Sequence, residues 1–262
     1  MSTYLFEHTW DQERRRLALL EEVFDGASQD YLGRIPVPAG GSCLEVGAGA
    51  GSIAGWLCGR VGPEGRVVAT DLEPEFLNER PEPNLEVRRH NIVADDLETD
   101  TFDLIHARLV LEHLPERDQV LRRLVAALRP GGWLVLEEFD WCSMVAAPGS
   151  RCGDLHARAY DAVRSIFQAA GIDQDYGRCL PLDFRAAGLV DVGADGRVYV
   201  ALGGTPAAEW WHLSMLKLID ALRASGTLTD AEVTDFIAAP ADEGYCTLLP
   251  TTVTAWGRRP GD

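Results

Sequence analysis

Residues Cys43–Ser52 read CLEVGAGAGS. An apolar run carrying one carboxylate, Glu45, ends in glycines at alternate positions: Gly47, Gly49 and Gly51. Glycine has no Cβ, so such a loop lets the backbone approach a ligand closely. A dinucleotide fingerprint would read GxGxxG and seat a pyrophosphate over the following helix N-terminus. Here the pattern is ExGxGxG, with the third glycine one residue early and Glu45 two residues before the first. A carboxylate in that place suits a ligand with positive charge or hydrogen-bond donors better than a phosphate. A tight strand–helix turn without any ligand is the other reading of the same residues.

Working outward, strands and helices alternate. SCLEVG is a short apolar run ending in glycine, which predicts a buried strand, and Ser52 to Arg60 continues as a helix. RVVATD predicts a second strand and Glu73 to Glu79 a short helix. Two prolines between Arg80 and Asn84 mark a turn before the strand LEVRRH. FDLIHA is a fourth strand, a helix runs from about Glu116 to Leu128, and the turn RPGG leads into the strand WLVLEEF. Strand–helix alternation with short glycine-rich junctions predicts an α/β fold with a mostly parallel sheet covered on both faces. Right-handed crossovers make that sheet doubly wound. Its ligands belong beyond the carboxyl ends of the strands.

The flanks read differently. Leu17, Leu20 and Phe24 recur at helical spacing within 11–25, and the charged Glu13 and Arg16 continue the same stripe. Tyr31 to Gly41 is a connector. After Asp140, helices are expected over 151–170 and 178–187, and a strand or strand pair over Val190 to Leu202. Thr205-Pro206 starts a helix to about Arg223, with proline at the first helical position. Thr229 and Glu232 have capping-box spacing, and Tyr245 to Arg258 is a final strand region. The segments are therefore 1–39, an N-terminal helical segment that only the family resemblance given below makes a lid; 40–140, a ligand-binding core; 141–189, a helical cap insertion; and 190–262, completion of the sheet with inserted helices.

Composition narrows the function. The 262 residues suit one α/β domain with elaborations, and a 46% hydrophobic content supports a real core. A formal net charge of −17 argues against affinity for nucleic-acid backbones or anionic membranes. None of the six cysteines forms a CxxC pair, so no metal site is expected and reduced thiols are the plain reading. The charged N-terminus lacks the apolar centre of a signal peptide, and no apolar run approaches the ~20 residues of a membrane span. A cytoplasmic protein is expected.

Together, LEVGAGAGS, ATDLEP, RRHNI, FDLIHARLVLEHL and LRPGGWLVLEE, in this order and spacing, resemble the class I S-adenosylmethionine-dependent methyltransferases over roughly residues 40–140. The resemblance implies a seven-stranded Rossmann-like methyltransferase fold and S-adenosyl-L-methionine as cofactor, with S-adenosylhomocysteine as product. Carried onto this chain, the loop under the methionine part and the sugar is Glu45, Gly47, Ala48, Gly49 and Gly51. Asp71, which ends the second strand, accepts the ribose hydroxyl protons; a cap on the short helix that follows is the other reading, and the two are compatible. Leu72 packs on the adenine face. Asn91 stands where many relatives have an acid, and beside Ile92 it either receives adenine or satisfies its own loop. The backbone near Ala107 and Arg108 receives the cofactor's amino group. Arg16 either pairs with the cofactor carboxylate or with Glu13, three residues away on the same helix.

The acceptor is less legible. Glu138, His113 and Tyr4 are candidate catalytic groups; His113 alternatively fixes the start of the next helix. Asp140 is a candidate substrate-binding residue whose alternative is polar contact with neighbouring helices; Trp10, Trp141, Tyr176, Trp210 and Trp211 are aromatic candidates, each with a core-packing alternative. Their number outside the sheet favours a flat, apolar or aromatic metabolite. HARL stands where amino-methylating relatives of DNA and glutamine carry an NPPY-like tetrapeptide. The leading expectation is small-molecule methyl transfer in bacterial secondary metabolism, at O, N or C, an indole-like carbon included. The alternatives are an NAD-dependent oxidoreductase and a non-methylating cyclase or binding protein. A small molecule is the expected partner, nucleic acid and membrane are not, and a homodimer is left open.

Overall fold

The computed structural model describes residues 12–150 and 153–261. Among these residues the strands form two sheets. The larger one has seven strands in the order β3-β2-β1-β4-β5-β10-β7, where β1 is Ser42–Val46, β2 Arg66–Asp71, β3 Leu85–Arg89, β4 Phe102–Arg108, β5 Leu128–Asp140, β7 Val190–Arg197 and β10 Thr251–Arg258. β1 pairs in parallel with β2 and β4, and β5 with β4, while β10 runs antiparallel between β5 and β7. The strand order reverses at β1, which sits between β2 and β4. That reversal opens a crevice beyond the carboxyl ends of β1 and β4. This is the mostly parallel, doubly wound Rossmann-like methyltransferase fold.

The burial pattern follows from the strand sequences. SCLEV in β1 is buried throughout, as expected for a central strand covered on both faces. One layer packs α2 (Ser52–Val61) through Ile53, Leu57 and Val61 against Cys43, Val67 and Leu104. The other packs α3 (Arg117–Ala127) and α5 (Tyr176–Ala186) against Leu44, Ile105 and Leu136. A third cluster joins α1 (Glu13–Leu32), α4 (Gly153–Ala169), α6 (Pro206–Leu216), α7 (Ile219–Ser225) and α8 (Asp230–Ala238) around Phe24, Phe167, Trp211 and Phe236. It is this helical layer that roofs the crevice.

Several boundaries depart from the sequence expectation. α1 runs on to Leu32 because Ala27, Ser28, Tyr31 and Leu32 are all buried, and that packing carries the helix past Gly26 into the expected connector. Only Leu77–Glu79 of the expected 73–79 helix forms, as a single 3₁₀ turn. RPGG is absorbed into β5, where Gly131 N–H donates to the Arg259 carbonyl at 3.0 Å. The helix expected from Thr205 to Arg223 divides into α6 and α7, with a Leu218-to-Met215 turn bond of 2.9 Å between them. The strand or strand pair expected over Val190 to Leu202 is a pair, β7 and β8 (Val200–Leu202), and the region expected over Tyr245 to Arg258 divides into β9 (Cys246–Leu248) and β10. β8 and β9 join β6 (Val145–Ala146) in a small antiparallel sheet of order β6-β9-β8. The capping box at Thr229 and Glu232 forms as its spacing requires. Among the described residues no helix is long and apolar enough to cross a membrane.

Candidate functional site

A cavity of about 560 Å³ lies beyond the carboxyl ends of β1, β2 and β4. Its sheet side is the loop after β1. Gly47, Gly49 and Gly51 have φ of +64°, +57° and +87°, a region that side chains rarely adopt. At Gly47 a Cβ would stand 2.5 Å from Val110 Cγ2, so the loop is fixed from beneath as well as by its dihedrals. Gly47, Ala48 and Gly49 line the cavity, whereas Gly51 faces Leu77 and Arg80 and serves as the turn into α2.

Asp71 ends β2 on the cavity wall. Its Oδ2 accepts the Gly49 N–H at 2.9 Å and its Oδ1 accepts the Glu73 N–H at 3.0 Å. The carboxylate thus ties β2 to the glycine loop and to the turn after the strand; it caps no helix, because the helical turn that follows begins only at Leu77, after Phe76. Each oxygen retains acceptor capacity for a ligand. Beside it, Leu72 is 46% exposed and lines the same cavity, with Asn91 and Ile92. Asn91 Oδ1 accepts the Val93 N–H at 2.9 Å, the self-satisfied loop that sequence left as its alternative.

Beneath the loop lies a buried chain that the sequence did not reveal. His106 of β4 donates Nδ1–H to Glu45 Oε2 at 2.8 Å and Nε2–H to Glu137 Oε1 at 2.9 Å. Burial disfavours its charge, but the two carboxylates outweigh burial and raise its pKa to about 9. Burial keeps Glu45 above the ordinary carboxylate range, against the pull of His106. Despite the same burial, His106 and Arg108 hold Glu137 below that range. Arg108 reaches the cavity and also binds Asp25 and Ser28 of α1 at 2.9 Å each. Ala107 is buried between them and does not reach the wall.

α1 forms the opposite wall through Arg16, Leu17, Leu20 and Glu21. Arg16 makes a bidentate contact with Glu13, 3.0 Å from Nε and 2.6 Å from Nη2, and Lys217, just past the end of α6, joins Glu13 at 2.9 Å. The intrahelical pair and the cavity-facing position therefore coexist in one side chain. Glu21 accepts the Ser52 N–H at 3.2 Å, placing a carboxylate at the start of α2.

The far end is lined by Glu112, His113, Phe139, Trp141, Trp210 and Ser214. Burial and the charge of Arg16 lower the His113 pKa to about 4, so its ring is neutral at pH 7. Leu109, also on the wall, holds φ +58°, a strained conformation for a non-glycine residue. Two carboxylates clasp this loop to β5. Glu138 accepts the N–H groups of Leu111 at 2.8 Å and Val110 at 3.3 Å, while Glu112 accepts those of Phe139 at 2.7 Å and Trp141 Nε1 at 3.0 Å. Burial and mutual repulsion raise Glu112 well above the ordinary range, and burial does the same to Glu138. Like charges this close share one proton at neutral pH.

Several expected site residues are not brought to the cavity. Glu138 is spent on backbone N–H groups behind the wall. Asp140 turns outward to bind Arg178. Tyr176 is buried in the layer under β5, with Arg117 over its ring at 5.7 Å. Trp211 packs between Trp141 and Tyr160 in the helical layer. Tyr4 and Trp10 lie outside the described residues. Leu17, Leu20, Glu21, Ser52, Leu109, Glu112, Phe139 and Ser214 line the cavity without having been singled out as site residues. The apolar stripe of α1 was the one usable signal among them.

A family model described as a methyltransferase domain matches residues 44–134, the stretch that carries the loop, Asp71 and the β4 segment. This stretch is a class I methyltransferase domain. The domain is similar to methyltransferase str2 of Strobilurus tenacellus, 37% identical over 142 residues, which are 52% of this chain and 49% of that protein. It is also similar to methyltransferase GfsG of Streptomyces halstedii, 33% identical over 129 residues, 45% of each chain. The chain spans about half the length of these curated relatives. Among solved structures, the YcgJ protein of Bacillus subtilis superposes on 91% of this chain and 100% of its own with a TM-score of 0.58 at 15% identity. Phosphoethanolamine N-methyltransferase 2 of Haemonchus contortus, solved with S-adenosyl-L-methionine, covers 95% of this chain and 53% of its own with a TM-score of 0.52 at 14% identity. At these identities the structural likeness concerns the fold of the methyltransferase domain.

Proposed function

We propose that the protein transfers a methyl group from S-adenosylmethionine to a small-molecule acceptor with a flat, apolar body. The observation that carries this reading is one cavity with two unlike ends: the glycine loop with Asp71 and Asn91 at one, Phe139, Trp141 and Trp210 at the other. The residues present fit the cofactor. Asp71 offers acceptors to a ribose, Leu72 and Ile92 offer apolar contact to adenine, Glu45 faces an amine and Arg16 a carboxylate. The matches to methyltransferases of Strobilurus tenacellus and Streptomyces halstedii support a role in secondary metabolism.

S-adenosylmethionine supplies the activated methyl and its own leaving group, so the chain's task is positioning and water exclusion. α1 and α6 wall the site from solvent; Trp141 and Trp210 hold the acceptor's face. His113, uncharged at pH 7, orients an acceptor O–H or N–H. Glu138 is not proposed as the base, since its oxygens already serve the backbone N–H groups of Val110, Leu111 and Glu112. Whether O, N or C receives the methyl is a matter for product analysis. Titration calorimetry with S-adenosylhomocysteine and with NAD tests the cofactor: binding of NAD alone overturns the reading. Transfer of label from methyl-labelled S-adenosylmethionine to hydroxylated and amino-substituted aromatics tests the reaction; a cofactor that keeps its label with every acceptor counts against it.

A further inference from the structure

His106 has no solvent exposure and does not line the cavity, yet it touches a residue that does. Strand register sets Glu45 of β1 directly beside it, and Glu137 of β5 beside Arg108, two residues further along β4. All four side chains therefore share one face. The groups that meet the imidazole are Glu45 from β1 and Glu137 from β5. Around them stand Arg108 from β4, Thr254 of β10, which donates to Glu137 Oε2 at 3.2 Å, and Asp25 of α1 behind Arg108. Both oxygens of Glu45 lie within bonding distance of Nδ1, at 3.0 and 2.8 Å, so the ring fixes where that carboxylate points. A carboxylate at this depth, left alone, would turn or take up a proton.

We propose that His106 is a positioning residue which aims the Glu45 carboxylate at the amino group of the cofactor's amino-acid part. This rests on the cofactor assignment above. The imidazole acts through Glu45 and does not touch the ligand. Its second carboxylate, Glu137, anchors the ring from the far side and keeps its charge; the persistence of that charge to about pH 9 is consistent with the role.

The test uses two nucleosides on the full chain. S-adenosylhomocysteine carries the amino-acid part; 5′-methylthioadenosine keeps the adenosine and thioether but lacks it. His106→Gln is expected to weaken S-adenosylhomocysteine about tenfold or more, the scale of one charge-assisted hydrogen bond, and to leave 5′-methylthioadenosine within about twofold. Glu137→Gln should show the same split in smaller degree, and it keeps the test available if His106→Gln does not fold. A merely structural role would weaken both nucleosides alike. Equal losses, or no loss of either, overturn the proposal. A natural chain that binds neither nucleoside sinks the cofactor assignment itself, and the positioning role with it.

Discussion

Glu137 and Glu138 are neighbours on β5, equally buried, and they live in opposite electrostatic worlds. Strand alternation turns Glu137 toward His106, where a cation holds it ionised, and Glu138 toward Glu112, where burial raises its pKa. One site is a charged sandwich that closes on itself. The other is an acid pair that keeps a proton and whose remaining lone pairs stitch the Leu109–Glu112 loop to the strand. Residue type and burial are the same, so the difference comes from the groups that each carboxylate faces. Burial of a carboxylate is thus no guide to its role until its partner is known.

The comparison can be broken from either side. His106→Phe should have the largest effect, because it strands two buried carboxylates; a loss of ~3–5 kcal/mol in unfolding free energy is expected from denaturant titration. A change under about 1 kcal/mol would show that the sandwich contributes little. The pH dependence carries the same information. With His106 raised from 6.5 to about 9, its stabilisation is complete below 6.5 and is lost as pH rises through about 9. His106→Phe should remove that alkaline limb.

Asp71 is another buried acid, and it accepts backbone N–H groups at the cavity wall. Asp71→Ala should weaken S-adenosylhomocysteine binding by ~1–3 kcal/mol in calorimetry. Unchanged affinity would remove the ribose role and leave only the backbone contacts to Gly49 and Glu73.

Glu138→Gln is expected to cost within about 1 kcal/mol at pH 7, since the pair already carries a proton there. The native pair binds more protons than the unfolded chain above the ordinary carboxylate range. Its contribution therefore falls as pH rises toward the raised pKa. Thermal melts of Glu138→Gln should show a flatter slope in that window; an unaltered slope would mean the pair holds no extra proton. The smallest effect is assigned to Asp140→Asn, which loosens a half-exposed pair with Arg178 and should shift stability by about 0–1 kcal/mol, with S-adenosylhomocysteine affinity unaffected. A clear loss of nucleoside affinity would return Asp140 to the site.

Local signals carried the core. The alternation of apolar runs and glycine junctions between Ser42 and Asp140 gave strands β1 to β4 nearly at their observed limits, and β5 from Trp133 on, because most junctions are decided within a few residues. The loop, Asp71 and Asn91 were legible for the same reason. The cap was not. Trp210 and Trp211 are adjacent and read alike, yet one lines the cavity and the other packs between Trp141 and Tyr160. Nothing in the local sequence separates them, since the choice depends on how α6 is rotated against α1 and α4. Leu218 likewise gave no sign that one expected helix would be two.

By itself, the sequence determined a doubly wound sheet and an acid-rimmed glycine loop at its reversal, since backbone dihedrals and strand burial are local properties. Tertiary structure alone decided which acids face the cavity and which hold protons. Glu45, His106 and Glu137 are separated by dozens of residues and meet only when β1, β4 and β5 come into register. Charge and protonation at depth belong to such meetings, because a buried ionisable group takes its state from its neighbours.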